Sequence, residues 1–231
     1  MFWEEDDQQE FQVSDDIIDL VFNIDCRELP VDHAHALGEA LCNALPLLGE
    51  DARCAIHSIH LAGSQNGWER PDPKLGQKLI LSRRTKLTLR VPGEHREHIE
   101  QTLDGAILDI DGHKLAIGKA KSKKLSRQGT VFARHVALQA GEDSDENAFL
   151  MRVVSDLKAR GIQVKKALCG ITQEIDTPEG PLQTRSIMLA DLSPEDAVQL
   201  QQQGLGDGRK LGCGIFIPHK GIDAVKKQED E

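Results

Sequence analysis

The chain has 231 residues, and its 39% hydrophobic fraction suits a packed core, which excludes disorder over most of its length. No apolar run reaches the ~18 residues of a membrane helix, and the acidic opening MFWEEDDQQE is neither a signal nor a transit peptide, so a cytoplasmic protein without membrane contact is expected. The five cysteines are odd in number and widely spaced, with no C-x-x-C, which argues against a disulfide framework and against structural zinc. The formal net charge of −10 argues against a nucleic-acid partner, yet the charge is segregated. Residues 1–16 hold seven acids and no base, 74–90 hold six bases and no acid, and 113–135 hold seven bases and no acid. A polyanion feels such local positive fields and not the global sign.

In chain order, residues 1–16 read as a solvated acidic tail whose charge suits it to compete for a basic groove. IIDLVFNI (17–24) is a buried strand. Asp32 is placed to cap a helix over 33–47, where Ala34, Leu37, Leu41, Ala44, Leu45 and Leu48 recur at helical spacing. A strand at 54–61, a turn-rich connection at 62–78, a strand region at 78–91 and a helix from Pro92 to about 103 follow. ILDIDGHKLAIG (107–118) reads as a hairpin turning at Asp111-Gly112. The second half has a strand at 130–138, a helix over 145–161, strands at 164–175 and 182–192, a helix opened by Ser193-Pro194 and a closing strand at 214–218. Each half is thus β-α-β-β-α-β, the ferredoxin-like order. The expected organisation is α+β: an acidic tail over 1–16, ferredoxin-like (RRM-like) domains over 17–125 and 126–222, and a charged tail over 223–231.

The most distinctive stretch is GLGDGRKLGCGIFIPHK (204–220), with Gly204, Gly206, Gly208, Gly212 and Gly214 between a helix and the last strand. Such a loop can offer backbone N–H groups to phosphates. It is neither a dinucleotide fingerprint nor a Walker loop, because the G-x-G-x-x-G spacing fails and no G-K-[ST] occurs. His57-x-x-His60 falls on a strand, where the two side chains diverge, and His95-x-x-His98 lacks a third ligand, so no metal is expected at either. Phe132 and Phe216 are expected in the core, since eight aromatic residues are too few for a stacking platform.

The run LQ-x-x-GLG followed by R-x-LGCGIF-x-PHK resembles the glycine-rich signature of the CRISPR repeat-processing endoribonucleases, the Cas-six family, and among them the subtype ending in GCG-F-PHK. LPVDHAHAL (29–37) resembles that subtype's LP-x-DH motif, and KLTLRVP (86–92) and the doubled fold agree, so the resemblance spans about 17–222. It implies metal-independent cleavage of precursor RNA within the repeat, with no cofactor, 2′,3′-cyclic phosphate and 5′-hydroxyl ends, and retention of the repeat hairpin. It also implies other Cas proteins of a surveillance complex as partners; the alternative is a non-catalytic RNA-binding subunit of a CRISPR effector complex. His33 matches the motif histidine and is the expected catalytic imidazole, with His35 as the alternate. The chain has no tyrosine, which several family members place in the site, so Ser82, Arg83 and Lys86 are the nearest candidates to assist. The RNA-binding set is Arg83, Arg84 and Lys86; Lys119, Lys121, Lys123, Lys124, Arg127 and Arg134; and Arg209, Lys210 and Lys220.

Overall fold

The computed structural model describes residues 11–60, 77–143 and 145–220. The expected turn-rich connection and both extreme tails lie largely outside the described residues.

The first half is built from β1 (Ile17–Asp25), β2 (Glu28–Pro30), α1 (Ala34–Ala44), α2 (Leu47–Glu50), β3 (Ala55–Ile56), β4 (Lys78–Ile80), β5 (Lys86–Pro92), α3 (Arg96–Leu103), β6 (Ile107–Ile110) and β7 (His113–Lys123). The second comprises β8 (Val131–Ala137), α4 (Glu146–Ala159), β9 (Lys166–Ile175), β10 (Leu182–Ala190), α5 (Pro194–Gln203) and β11 (Ile217–Pro218). The sheets run β3-β5-β1-β7-β6 and β11-β8-β10-β9, with every pairing antiparallel. Sequential strands are therefore interleaved as a ferredoxin-like crossover requires, and the doubled fold expected from element order is present.

Alternation explains the layers. On β1, Leu20 and Phe22 are buried against Leu37 and Leu41 of α1 and Ile99 and Leu103 of α3, while Asp19, Val21 and Asn23 point to the opposite face. In the second half Phe149, Val153 and Leu157 of α4 and Leu200 of α5 close over Val131, Ala133, Ile187 and Leu189. A small third cluster, Ala34, Ile175 and Cys213, joins the two halves.

Several boundaries differ from expectation: the strand expected at 54–61 is reduced to Ala55–Ile56, the closing strand expected at 214–218 to Ile217–Pro218, and the helix expected over 33–47 ends at Ala44. Pro92 ends β5 and does not open the helix, because it still pairs with Ile17 and a 3-10 turn at Gly93–His95 intervenes. Asp32 does not occupy the cap position of α1; His33 does, and the Asp32 carboxylate is shared between the backbone N–H groups of Ala34 and Asp176. The strand from 113 runs on to Lys123, since β1 continues to pair with it through Asp19↔Lys123. Ser193 does cap α5, accepting from Asp196 N at 3.0 Å. Ser193→Ala is expected to lower the unfolding free energy by about 1 kcal/mol in a urea titration, with an unchanged slope.

Candidate functional site

The chain leaves β2, whose Leu29 packs opposite Leu79 of β4, and turns into α1 at His33. His33 is 3% exposed, and both ring nitrogens are taken. Nδ1 donates to Pro30 O at 3.0 Å, while Nε2 accepts from Ile59 N at 3.0 Å. Burial outweighs the nearby carbonyls of Pro30 and Val31 and holds the imidazole below its usual pKa, so it is neutral at pH 7. It ties the mouth of α1 to the segment after β3.

His35 is half-buried and lines an open cavity of about 410 Å³. The other walls are Thr177, Glu179, Gly180, Pro181 and Leu182 from the β9–β10 turn and Leu211 from the glycine-rich loop. This cavity lies between the two halves. The turn is held against α1 by Asp32, whose carboxylate accepts from Asp176 N at 2.6 Å, and burial raises that carboxyl above its usual value.

The glycine-rich loop seats itself by close approach. Gly212 has φ +82°, and a side chain there would strike Ser58 Oγ. On the facing helix a Cβ at Gly38 would come within 2.6 Å of Lys210 O. Arg209 and Lys210, expected on RNA phosphates, are turned into the protein. Arg209 donates to Gln202 O and Arg53 O, each at 3.3 Å, and burial brings its guanidinium down to about 10. Lys210 Nζ donates to Asp51 O and Cys54 O, each at 2.8 Å. These cations satisfy carbonyls near α2 and at the end of α5, and so pin the loop to the first half.

The remaining cations are brought together only in part. A register shift in the β1–β7 ladder leaves an extra residue at Gly118–Lys119. Lys119, Lys121 and Lys123 then share with Lys86 the face of the first sheet that carries no helix of its own half and that the second half covers at Asp19 and Arg90; Lys86 Nζ donates to Asn23 Oδ1 at 2.6 Å. Arg83 and Arg84 are exposed in the turn before β5. Lys124 and Arg127 follow β7 and contact residues 11–15. Arg134 sits on the other sheet, 5.8 Å over the ring of Phe132, and Lys220 is exposed beyond β11. Phe216 is in the core as expected, but Phe132 is not: it is half-buried on the open face, with the His219 ring 5.7 Å away.

One buried ion pair was hidden in the pattern. Arg90 is 1% exposed and clasps Asp19 through Nε and Nη2 at 2.8 and 3.0 Å. Its Nη1 donates across the junction to Gln201 O and Phe216 O at 2.9 and 2.8 Å. Burial alone would raise the Asp19 carboxyl, but Arg90 and His57 outweigh it and hold it well below the usual carboxylate range. His57 and His60 lie beyond the end of β3 and not on a strand as expected; His60 stacks on His135 of the second half at 6.5 Å. Among the described residues no group of three His, Cys, Asp or Glu side chains is arranged to hold a metal ion, and no helix is long and apolar enough to cross a membrane.

This doubled fold is shared with proteins of known structure. "CRISPR associated protein Cas6" superposes with a TM-score of 0.62 at 11% identity, over 88% of this chain and 100% of that one. A structure described as "Characterization of a Cas6-related gene from Pyrococcus furiosus" gives 0.60 at 13% identity, over 87% and 97%. "An RAMP protein binding different RNA substrates" gives 0.58 at 13%, over 88% and 100%. The class is therefore that of tandem ferredoxin-like Cas6 and RAMP folds. The family model described as Cas6 Crispr matches residues 18–221, and the "CRISPR-associated endonuclease Cas6" of Myxococcus xanthus (strain DK1622) is 30% identical over 201 residues, 87% of this chain and 81% of the relative. The chain belongs to the Cas6 family.

Proposed function

We propose that the protein is an endoribonuclease that cuts CRISPR precursor RNA within the repeat and retains the repeat hairpin. The reading includes metal independence and places the chain with the family members that end in GCG-F-PHK. The observation that carries it is the imidazole of His35 at a cavity between the two halves, on a protein whose first sheet presents Lys86, Lys119, Lys121 and Lys123 together. In this scheme the ribose 2′-oxygen attacks the adjacent phosphorus and the bond to the 5′-oxygen breaks, leaving a 2′,3′-cyclic phosphate and a 5′-hydroxyl. His35 takes the 2′-hydroxyl proton, and solvent water protonates the departing 5′-oxygen. His33, with no nitrogen free to exchange a proton, acts as a positioning residue that fixes the first turn of α1. On this reading the alternate, His35, takes the catalytic role that the motif implied for His33, which is buried.

A second reading, a non-catalytic RNA-binding subunit of a CRISPR effector complex, draws on that same burial of the motif histidine. Incubation with repeat RNA in EDTA separates the two. Cleavage with a cyclic-phosphate end is expected; binding without cleavage supports the second reading, and cleavage that EDTA abolishes rejects metal independence.

A further inference from the structure

Residues 11–16 are laid against the body of the protein. Asp16 O accepts from Gly93 N at 2.9 Å, and any side chain at Gly93 would strike Asp15 O. Beyond this anchor, Lys124 Nζ lies 3.1 Å from Asp15 Oδ1 and 3.4 Å from Val13 O. Arg127 Nη1 donates to Phe11 O at 3.1 Å. Immediately before Phe11 the sequence adds five acids, Glu4, Glu5, Asp6, Asp7 and Glu10, and no base.

We propose that the acidic N-terminal segment is a built-in competitor for RNA, holding Lys124 and Arg127 until phosphates displace it. The inference deepens the proposed function and rests on it, extending its RNA surface from Lys119, Lys121 and Lys123 to these two cations. Lys124 and Asp15 are 59% and 67% exposed, so their ion pair is weak taken alone. Tethering changes the balance: a segment anchored next to its site acts at an effective concentration on the order of millimolar. Such a competitor weakens every RNA that needs these cations by one common factor. RNA with further specific contacts still binds, whereas RNA offering little but phosphate is released. Added salt screens both the segment and the RNA, so the difference between them fades.

The test compares the full chain with a variant carrying Glu4→Gln, Glu5→Gln, Asp6→Asn, Asp7→Asn, Glu10→Gln and Asp15→Asn. A labelled 20-nucleotide poly(U) serves as the phosphate-only probe, titrated at 50 and 300 mM KCl. The variant is expected to bind about tenfold more tightly at low salt and within about twofold of the parent at high salt. In a background of Lys124→Ala with Arg127→Ala, the same neutralisation is expected to change the affinity by less than about twofold. Equal affinities at low salt overturn the proposal. So does an undiminished gain in the double-alanine background, which assigns the effect to long-range repulsion, and so does failure of both forms to bind poly(U). Cleavage of repeat RNA is scored separately, and its absence counts against the proposed nuclease function alone.

Discussion

His35→Ala is expected to slow repeat cleavage by about 10²–10⁴-fold, the usual worth of a positioned acid–base group, while RNA affinity stays within about twofold. His33→Ala is expected to act differently. It orphans Ile59 N and Pro30 O, and the loss is expected in stability, about 1–3 kcal/mol by denaturant titration. Cleavage by the folded fraction at low temperature should then fall much less than in His35→Ala. The wild-type pH dependence offers a second readout. The folded pKa of His33 lies below its ordinary 6.5, so the unfolded chain binds the proton more readily. Stability therefore rises with pH through this window and declines as pH falls below about 6.5, and His33→Ala should flatten that slope. A folded His33→Ala that does not cut, beside a His35→Ala that cuts at the parental rate, would assign the chemistry to His33.

Arg90→Met is expected to be the most destabilising single change in the molecule, at about 3–5 kcal/mol. It keeps an apolar stem but leaves the Asp19 carboxylate buried without its main partner and removes the donor to Gln201 O and Phe216 O. The pair also predicts acid sensitivity. Asp19 is depressed in the folded state, so its contribution is present above the ordinary carboxylate pKa of 3.8 and is lost as pH falls through the lower folded value. Urea midpoints measured from pH 5 down to pH 2 should show this slope below about pH 3.8 in the parent and a much reduced slope in Arg90→Met. A loss below about 1 kcal/mol, or an unchanged slope, would remove Arg90 from its place as the clamp of the junction.

Element order was legible in the sequence because apolar periodicity is local: IIDLVFNI and KLTLRV announce strands whatever lies across from them. The glycine-rich stretch and the histidines before Leu37 were legible for the same reason. What the pattern could not show is which face another domain covers. Asp19 in an apolar strand and Arg90 in KLTLRVP are two charges on the same face of paired strands, a signal readable only once β1 and β5 are known to be neighbours. Arg209 and Lys210 looked like phosphate ligands because sequence shows their charge and not the carbonyls of Asp51, Arg53 and Cys54 that claim it. Phe132 was misplaced because a residue half-covered by Arg134 and His219 carries the same letter as one in the core. The extra residue at Gly118–Lys119, which turns these alternate lysines to the face opposite Leu115 and Ile117, leaves no trace in composition.

His35 and Gly38 are three positions apart on one helix. At 3.6 residues per turn they project from the same side, about 4.5 Å apart along the axis. The bare backbone that lets Lys210 O nestle in therefore sets the rotational phase at which the imidazole meets the space between the halves. Inserting one residue between them would swing the ring by about 100°, so this short spacer works as a keyway: the loop that locks the helix also aims it.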